Sequence, residues 1–219
     1  IATLTKWVRQ GAEYKTHWAF SPPVKTKVPE AGKDWAVNEI DRFVFTRLAE
    51  ENIQPASEAE WEYLIRRVYF DLNGLPPSLA ETNRWLTDDR EDWYENLVDD
   101  LLARSAYGER MATYWMDVAR FADSEGYLDD FHHALWPYRD WVVKSFNANQ
   151  PFNTFTVEQI AGDLLPNPTE SQLIATGLQR CNATTNEGGT IVEENLANYA
   201  ADRVQTIGWV YLGLTTNCA

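Results

Sequence analysis

Two stretches of the chain gather residues able to do chemistry. Residues 123–135 carry Asp123, Glu125, Asp129 and Asp130 beside the adjacent imidazoles His132 and His133. Such carboxylates suit Ca²⁺, and a mixed nitrogen and oxygen set suits a transition metal. The spacing matches no EF-hand, because the glycine and the terminal acid are misplaced, so a solvated acidic loop is the plainer reading. The second stretch, 181–189, ends in Glu187-Gly188-Gly189. Glycines let a backbone approach a ligand closely, and an adjacent acid can accept its hydrogen bonds. The same residues could simply turn the chain into the last helix, whose first turn Glu193 and Glu194 favour through the helix dipole.

Both stretches interrupt helical patterning, and both carry acids and a glycine that a plain linker does not need. They are expected to converge on one polar pocket for a substrate or ion. Its candidate residues are Asp123, Glu125, Asp129, His132, Arg139, Glu187, Asp202 and Arg203. Paired carboxylates there would be available for acid–base work. Asp117, Arg120 and Asp123, three apart, would set acid, base and acid on one helical face. The competing account is that charged groups beside a core pair internally. His17, beside Trp18 and Phe20, reads as a packed connector residue, and Cys181 carries no motif. A Cys181–Cys218 disulfide would close a long loop.

Helices must position these residues. Apolar spacing predicts helices over about 1–10, 37–51, 92–103, 107–122, 136–147 and 191–212. Capping boxes predict starts at Ser57 (with Glu60), Ser78 (with Glu81) and Thr169 (with Gln172). A further helix is expected to start at Thr154 or Thr156 and end near Leu165-Pro166. Pro22-Pro23 and Pro29 make 17–34 an extended connector. No β-type alternation of useful length occurs, so the expected fold is all-α, an irregular multi-helix domain with long ordered loops. Its core should include Phe43, Leu64, Val68, Leu97, Leu101, Trp115, Val118, Ile160, Ile174, Val204 and Val210.

Composition narrows the function classes. With 10 Trp, 10 Tyr and 9 Phe in 219 residues, the chain is too aromatic for a disordered tail. Its 33 acids against 19 Lys and Arg, a formal charge of -14, argue against nucleic acid and anionic lipid as partners. No run approaches the roughly 18 apolar residues of a membrane span. Trp85, Trp93, Trp115, Trp136, Trp141 and Trp209 could stack on sugars, but their helical spacing makes them core first. Both ends of the sequence read as interruptions of a longer protein.

Several blocks together resemble a known family. They are His17-Trp18-Ala19-Phe20, Leu64-Ile65-Arg66-Arg67, Asp71-Leu72-Asn73-Gly74-Leu75-Pro76-Pro77, Tyr107-Gly108-Glu109-Arg110, and Asp117 through Asp123. Tyr138-Arg139-Asp140-Trp141, Glu158 through Pro166, Glu187-Gly188-Gly189, Asp202-Arg203 and Leu212-Gly213-Leu214-Thr215 continue the set. Residues 17–219 resemble the second of the planctomycete-specific cytochrome-type domains, a family of unknown function. Residues 1–16 resemble the closing helix of the small cytochrome c domain that often precedes it, and 35–219 would be the helical domain itself. The resemblance implies a continuation after Gly-Leu-Thr into Cys-x-x-Cys-His, the haem c attachment pattern, of which Cys218 is the first cysteine. It further implies an extracytoplasmic protein at the periplasm or cell surface, with haem c as cofactor. Redox or electron-transfer work would follow, alongside polysaccharide degradation. The implied partners are other domains of the parent chain, a redox partner and carbohydrate. The rival expectation is a non-catalytic interaction or scaffold module of a cell-envelope protein.

Overall fold

The computed structural model describes residues 1–127 and 129–216. Among these residues there are ten α-helices and no strand, apart from an isolated antiparallel bridge between Ser124 and His132. The fold is all-α. The chain divides into two compact units, residues 1–58 and residues 59 onward.

The first unit holds α1 (Ala2–Arg9) and α2 (Glu39–Glu50), and none of its residues is buried. A reciprocal capping box starts α2: Asn38 Oδ1 accepts from the Asp41 amide, and Asp41 Oδ2 accepts from the Asn38 amide at 3.0 Å. Phe43, expected in the core, is 40% exposed on α2. In the connector, His17 Nδ1 accepts from the Ala19 amide and caps a short 3₁₀ turn, Trp18–Phe20. That turn leaves Trp18 and Phe20 exposed, so the connector aromatics are not packed as expected.

The second unit begins with α3 (Trp61–Asn73), α4 (Leu79–Leu86) and α5 (Trp93–Leu102). Ser57 does not cap α3. The helix starts at Trp61, whose ring stacks on Trp93 at 4.5 Å, because packing rather than propensity carries most helical stability. The Ser78 box does form, with the Glu81 carboxylate returning to the Ser78 amide at 2.8 Å. These three helices bury Ile65, Val68, Tyr69, Trp85, Trp93, Leu97 and Leu101 in one core.

A second core lies among α6 (Ser105–Ala119), α7 (Trp136–Asn147), α8 (Phe152–Ala161), α9 (Glu170–Ala175) and the 3₁₀ turn Thr176–Arg180. Helices α6 and α7 pack closely because α6 presents Gly108, Ala112 and Ala119. A Cβ on Gly108 would lie 2.5 Å from the Val143 carbonyl oxygen and the Asn147 side chain. Helix α8 starts after Pro151 rather than at Thr154 or Thr156, since the fixed φ of proline suits a helix entrance. The Thr169–Gln172 box forms and starts α9.

The last helix, α10 (Val192–Ile207), widens into a π turn over Gly208–Leu212. It buries Thr206 and Gly208, and Tyr211 packs against the second core. Val118, Ile160 and Val204, all expected in the core, are 47%, 40% and 62% exposed. Each sits on a helix whose buried side faces another way: Ala119 on α6, Phe155 and Gln159 on α8, Thr206 on α10.

Candidate functional site

Helix α6 does not run on to residue 122. It stops at Ala119, and Arg120 takes the left-handed conformation (φ 58°, ψ 37°) normally left to glycine. Asp117, Arg120 and Asp123 therefore share no helical face. The departure swings the chain into the 121–135 segment and sends the Arg120 guanidinium to Asp202 on α10, 2.5 Å away. A non-glycine residue in this region stores strain, which clusters at functional sites. Arg120 Nε is buried with no hydrogen-bond partner.

Backbone hydrogen bonds link the described residues of the 121–135 segment. The Glu125 amide donates to the Phe131 carbonyl at 3.0 Å, and the His133 amide donates to the Asp123 carbonyl at 2.8 Å. Asp130 accepts from the Gly126 amide at 2.8 Å. That bond, with one from Ser124, holds its carboxyl below the usual range.

The two loops do meet. The Thr184 amide donates to the Glu125 carbonyl at 3.1 Å, and Asn186 Nδ2 lies 2.8 Å from both Glu125 carboxylate oxygens. The Thr185 amide donates to the Tyr199 hydroxyl at 2.7 Å, tying the second loop to α10. Between them lies a cavity of about 410 Å³ lined by Arg120, Glu125, His133, Cys181, Tyr199 and Asp202 among others. A second cavity of about 470 Å³ adjoins it, shares Glu125, His133, Arg180 and Asn182, and adds Arg203.

Of the residues anticipated from sequence, Glu125, Asp202 and Arg203 line these cavities. Asp123 contributes only a backbone carbonyl nearby, and Asp129 and His132 are exposed outside the lining. His133, not His132, faces the cavity. Arg139 lies on the groove between α6 and α7, paired with Asp140. Glu187 lies outside both linings; its amide donates to Thr185 Oγ1. Gly188 and Gly189 face open space, and the φ of +88° at Gly189 marks a turn. Cys218 lies outside the described residues.

Sequence reasoning missed Arg180, Asn182, Asn198 and Tyr199. A signal for the last two was present: Asn198, Tyr199, Asp202 and Arg203 follow a helical i, i+1, i+4, i+5 pattern. Cys181 is a free, buried thiol, and burial pushes it up to about 12 despite the nearby Arg120 charge. It is thus an inert sulfur rather than a nucleophile. Among the described residues, no group of three or more His, Cys, Asp or Glu side chains gathers as a metal ion would need. No described helix is long and apolar enough to cross a membrane.

Residues 39–219 match PSCyt2, described as a protein of unknown function (DUF1549). The chain belongs to this family. No curated protein and no solved structure matches it. The PSCyt2 match spans all helices from α2 onward, and with them both loops of the cleft.

Proposed function

We propose that this PSCyt2 chain is a ligand-binding helical domain of an extracytoplasmic, haem-c-associated redox protein. Its substrate is a polar, carbohydrate-like molecule held between the 123–135 and 181–189 loops. The observation that supports ligand binding is the cleft itself. Two loops, hydrogen-bonded to each other and the second also to α10, flank an open cavity lined in part by charged and polar side chains, the usual way a rigid scaffold carries a site.

The haem part rests on the resemblance, which extends to planctomycete cytochrome-type domains and to a cytochrome c helix in residues 1–16. Of the Cys-x-x-Cys-His pattern the sequence holds Cys218. Haem would then be attached through Cys218 together with a cysteine and a histidine from the rest of the parent protein. An optical spectrum of the full-length parent tests this. A Soret band, a sharp reduced α band and a haem adduct on the Cys218 peptide are expected. A bare polypeptide mass with no Soret absorption would overturn it, as would a Cys181–Cys218 linked peptide.

A second reading, a non-catalytic interaction module, is favoured by α10. That helix exposes Ile191, Val192 and Leu196 at its start, apolar side chains that a partner could cover.

A further inference from the structure

The charge of the cleft runs against the charge of the chain. Acids outnumber Lys and Arg by 33 to 19 overall, yet the lining of the two adjoining cavities holds Arg120, Arg180 and Arg203 against Glu125 and Asp202. Arg120 and Asp202 neutralise each other. Glu125, the carboxylate in the lining shared with Arg180 and Arg203, keeps its charge but has both oxygens held by the Asn186 amide. Among the described residues, neither Arg180 nor Arg203 has a carboxylate within ion-pair distance, and both face one cavity with His133 between the loops.

One side-chain hydrogen bond orients the exposed Arg203. Its Nε donates to Oδ1 of the buried Asn182 at 3.2 Å, and Asn182 Nδ2 donates to the Ala183 carbonyl at 3.0 Å. Holding the guanidinium by Nε leaves its two terminal nitrogens as a fork, the geometry that grips carboxylate and sulfate oxygens in pairs. Arg180 closes the 3₁₀ turn Thr176–Arg180 immediately before Cys181, so its backbone is anchored to the second core through Leu178. An oriented donor such as Arg203 loses less freedom when a ligand arrives.

We infer that the wall formed by Arg180, Arg203 and His133 binds an oxyanion group, carboxylate or sulfate, on the ligand of this cleft. The adjoining cavity, with Asn198 and Tyr199, takes the hydroxyl-bearing remainder. This rests on the cleft being the ligand site proposed above, and it specifies an acidic rather than a neutral sugar.

Calorimetric titration of the full chain with galacturonate, galactose 6-sulfate, galactose and inorganic sulfate tests it. The acidic sugars should bind at least about tenfold more tightly than galactose, the usual return on charge-assisted bonds. The double variant R180Q/R203Q should lose that preference while keeping its far-UV circular dichroism and its affinity for galactose. R180K/R203K, which keeps charge without the fork, should retain part of the preference. Equal binding of galactose and galacturonate would overturn the oxyanion assignment and leave the cleft as a neutral-sugar site. Binding of inorganic sulfate as tight as that of the sugar sulfate would support the anion wall and overturn the sugar half. Binding of none of the four would overturn the assignment and the site together.

Discussion

The core of α3–α5 and the core of α6–α9 handle their polar groups differently. In the first, Trp85 Nε1 donates to the Tyr69 hydroxyl at 3.3 Å. Arg104 bridges Glu81 and Asp100 at 2.6 Å each and touches Tyr69. In the second, Trp115 Nε1, the Tyr138 hydroxyl and Gln159 Oε1 close a buried ring of hydrogen bonds within 3.0 Å. Yet Thr156 Oγ1, the Tyr211 hydroxyl and, at its cleft edge, Arg120 Nε are buried without partners, as is Arg110 Nε where α6 meets Gly74 at the end of α3. An orphaned buried polar atom costs about 1–3 kcal/mol. On the proposed reading the first core is framework, and the second, with the cleft at its edge, is where such costs are tolerated.

The contrast can be broken in the framework first. Leu97, fully buried, should cost about 2–5 kcal/mol when cut to alanine. Chemical denaturation should show that loss, with ligand affinity unchanged at temperatures where the variant is folded. Gln159→Leu should cost less, about 1–3 kcal/mol, by taking the acceptor from Trp115 and Tyr138. A neutral or stabilising result would mean that the ring does not specify the second core.

Arg120→Gly sharpens the comparison from the site side. Glycine relieves the left-handed backbone at about 1 kcal/mol or less, while removing the guanidinium from Asp202, itself 28% exposed and able to take water. Stability should hold nearly level while ligand affinity falls. A large loss of stability instead would make the pair structural.

The smallest effect is a pH dependence. Bonds from Ser78, then from Arg104, depress the Glu81 carboxyl from 4.5 to about 2. A depressed carboxyl contributes stability that is full above its unfolded value and is lost as pH falls through its folded one. Glu81→Gln should therefore flatten the stability profile between pH 4.5 and about 2. An unchanged slope would show that the bridge is solvent-screened.

How much was legible follows the same division. The Ser78 and Thr169 caps and the Val68, Leu97 and Leu101 faces are local patterns, and the structure keeps them. The Ser57 box failed because the Trp61–Trp93 stack, a long-range contact, sets the start of α3. At the site, the meeting of the two loops could be argued from shared loop character. Its membership could not: the left-handed turn at Arg120 ends α6 before Asp123 can share its face, and Arg180 comes from a separate 3₁₀ turn. Residue type announces left-handed Asn or Asp, as at Asn52, Asp130, Asn149 and Asn167, but not a left-handed arginine.

The central claim is that the two loops act as one ligand cleft, and hydrogen exchange of the full chain with and without galacturonate reads it most directly. Amides of residues 123–135 and 181–189 should gain protection together, Thr184 among them because its amide donates to Glu125 across the loops. Protection confined to one loop, or appearing instead around the aromatic cavity of Tyr107, Phe146 and Phe152, would contradict it.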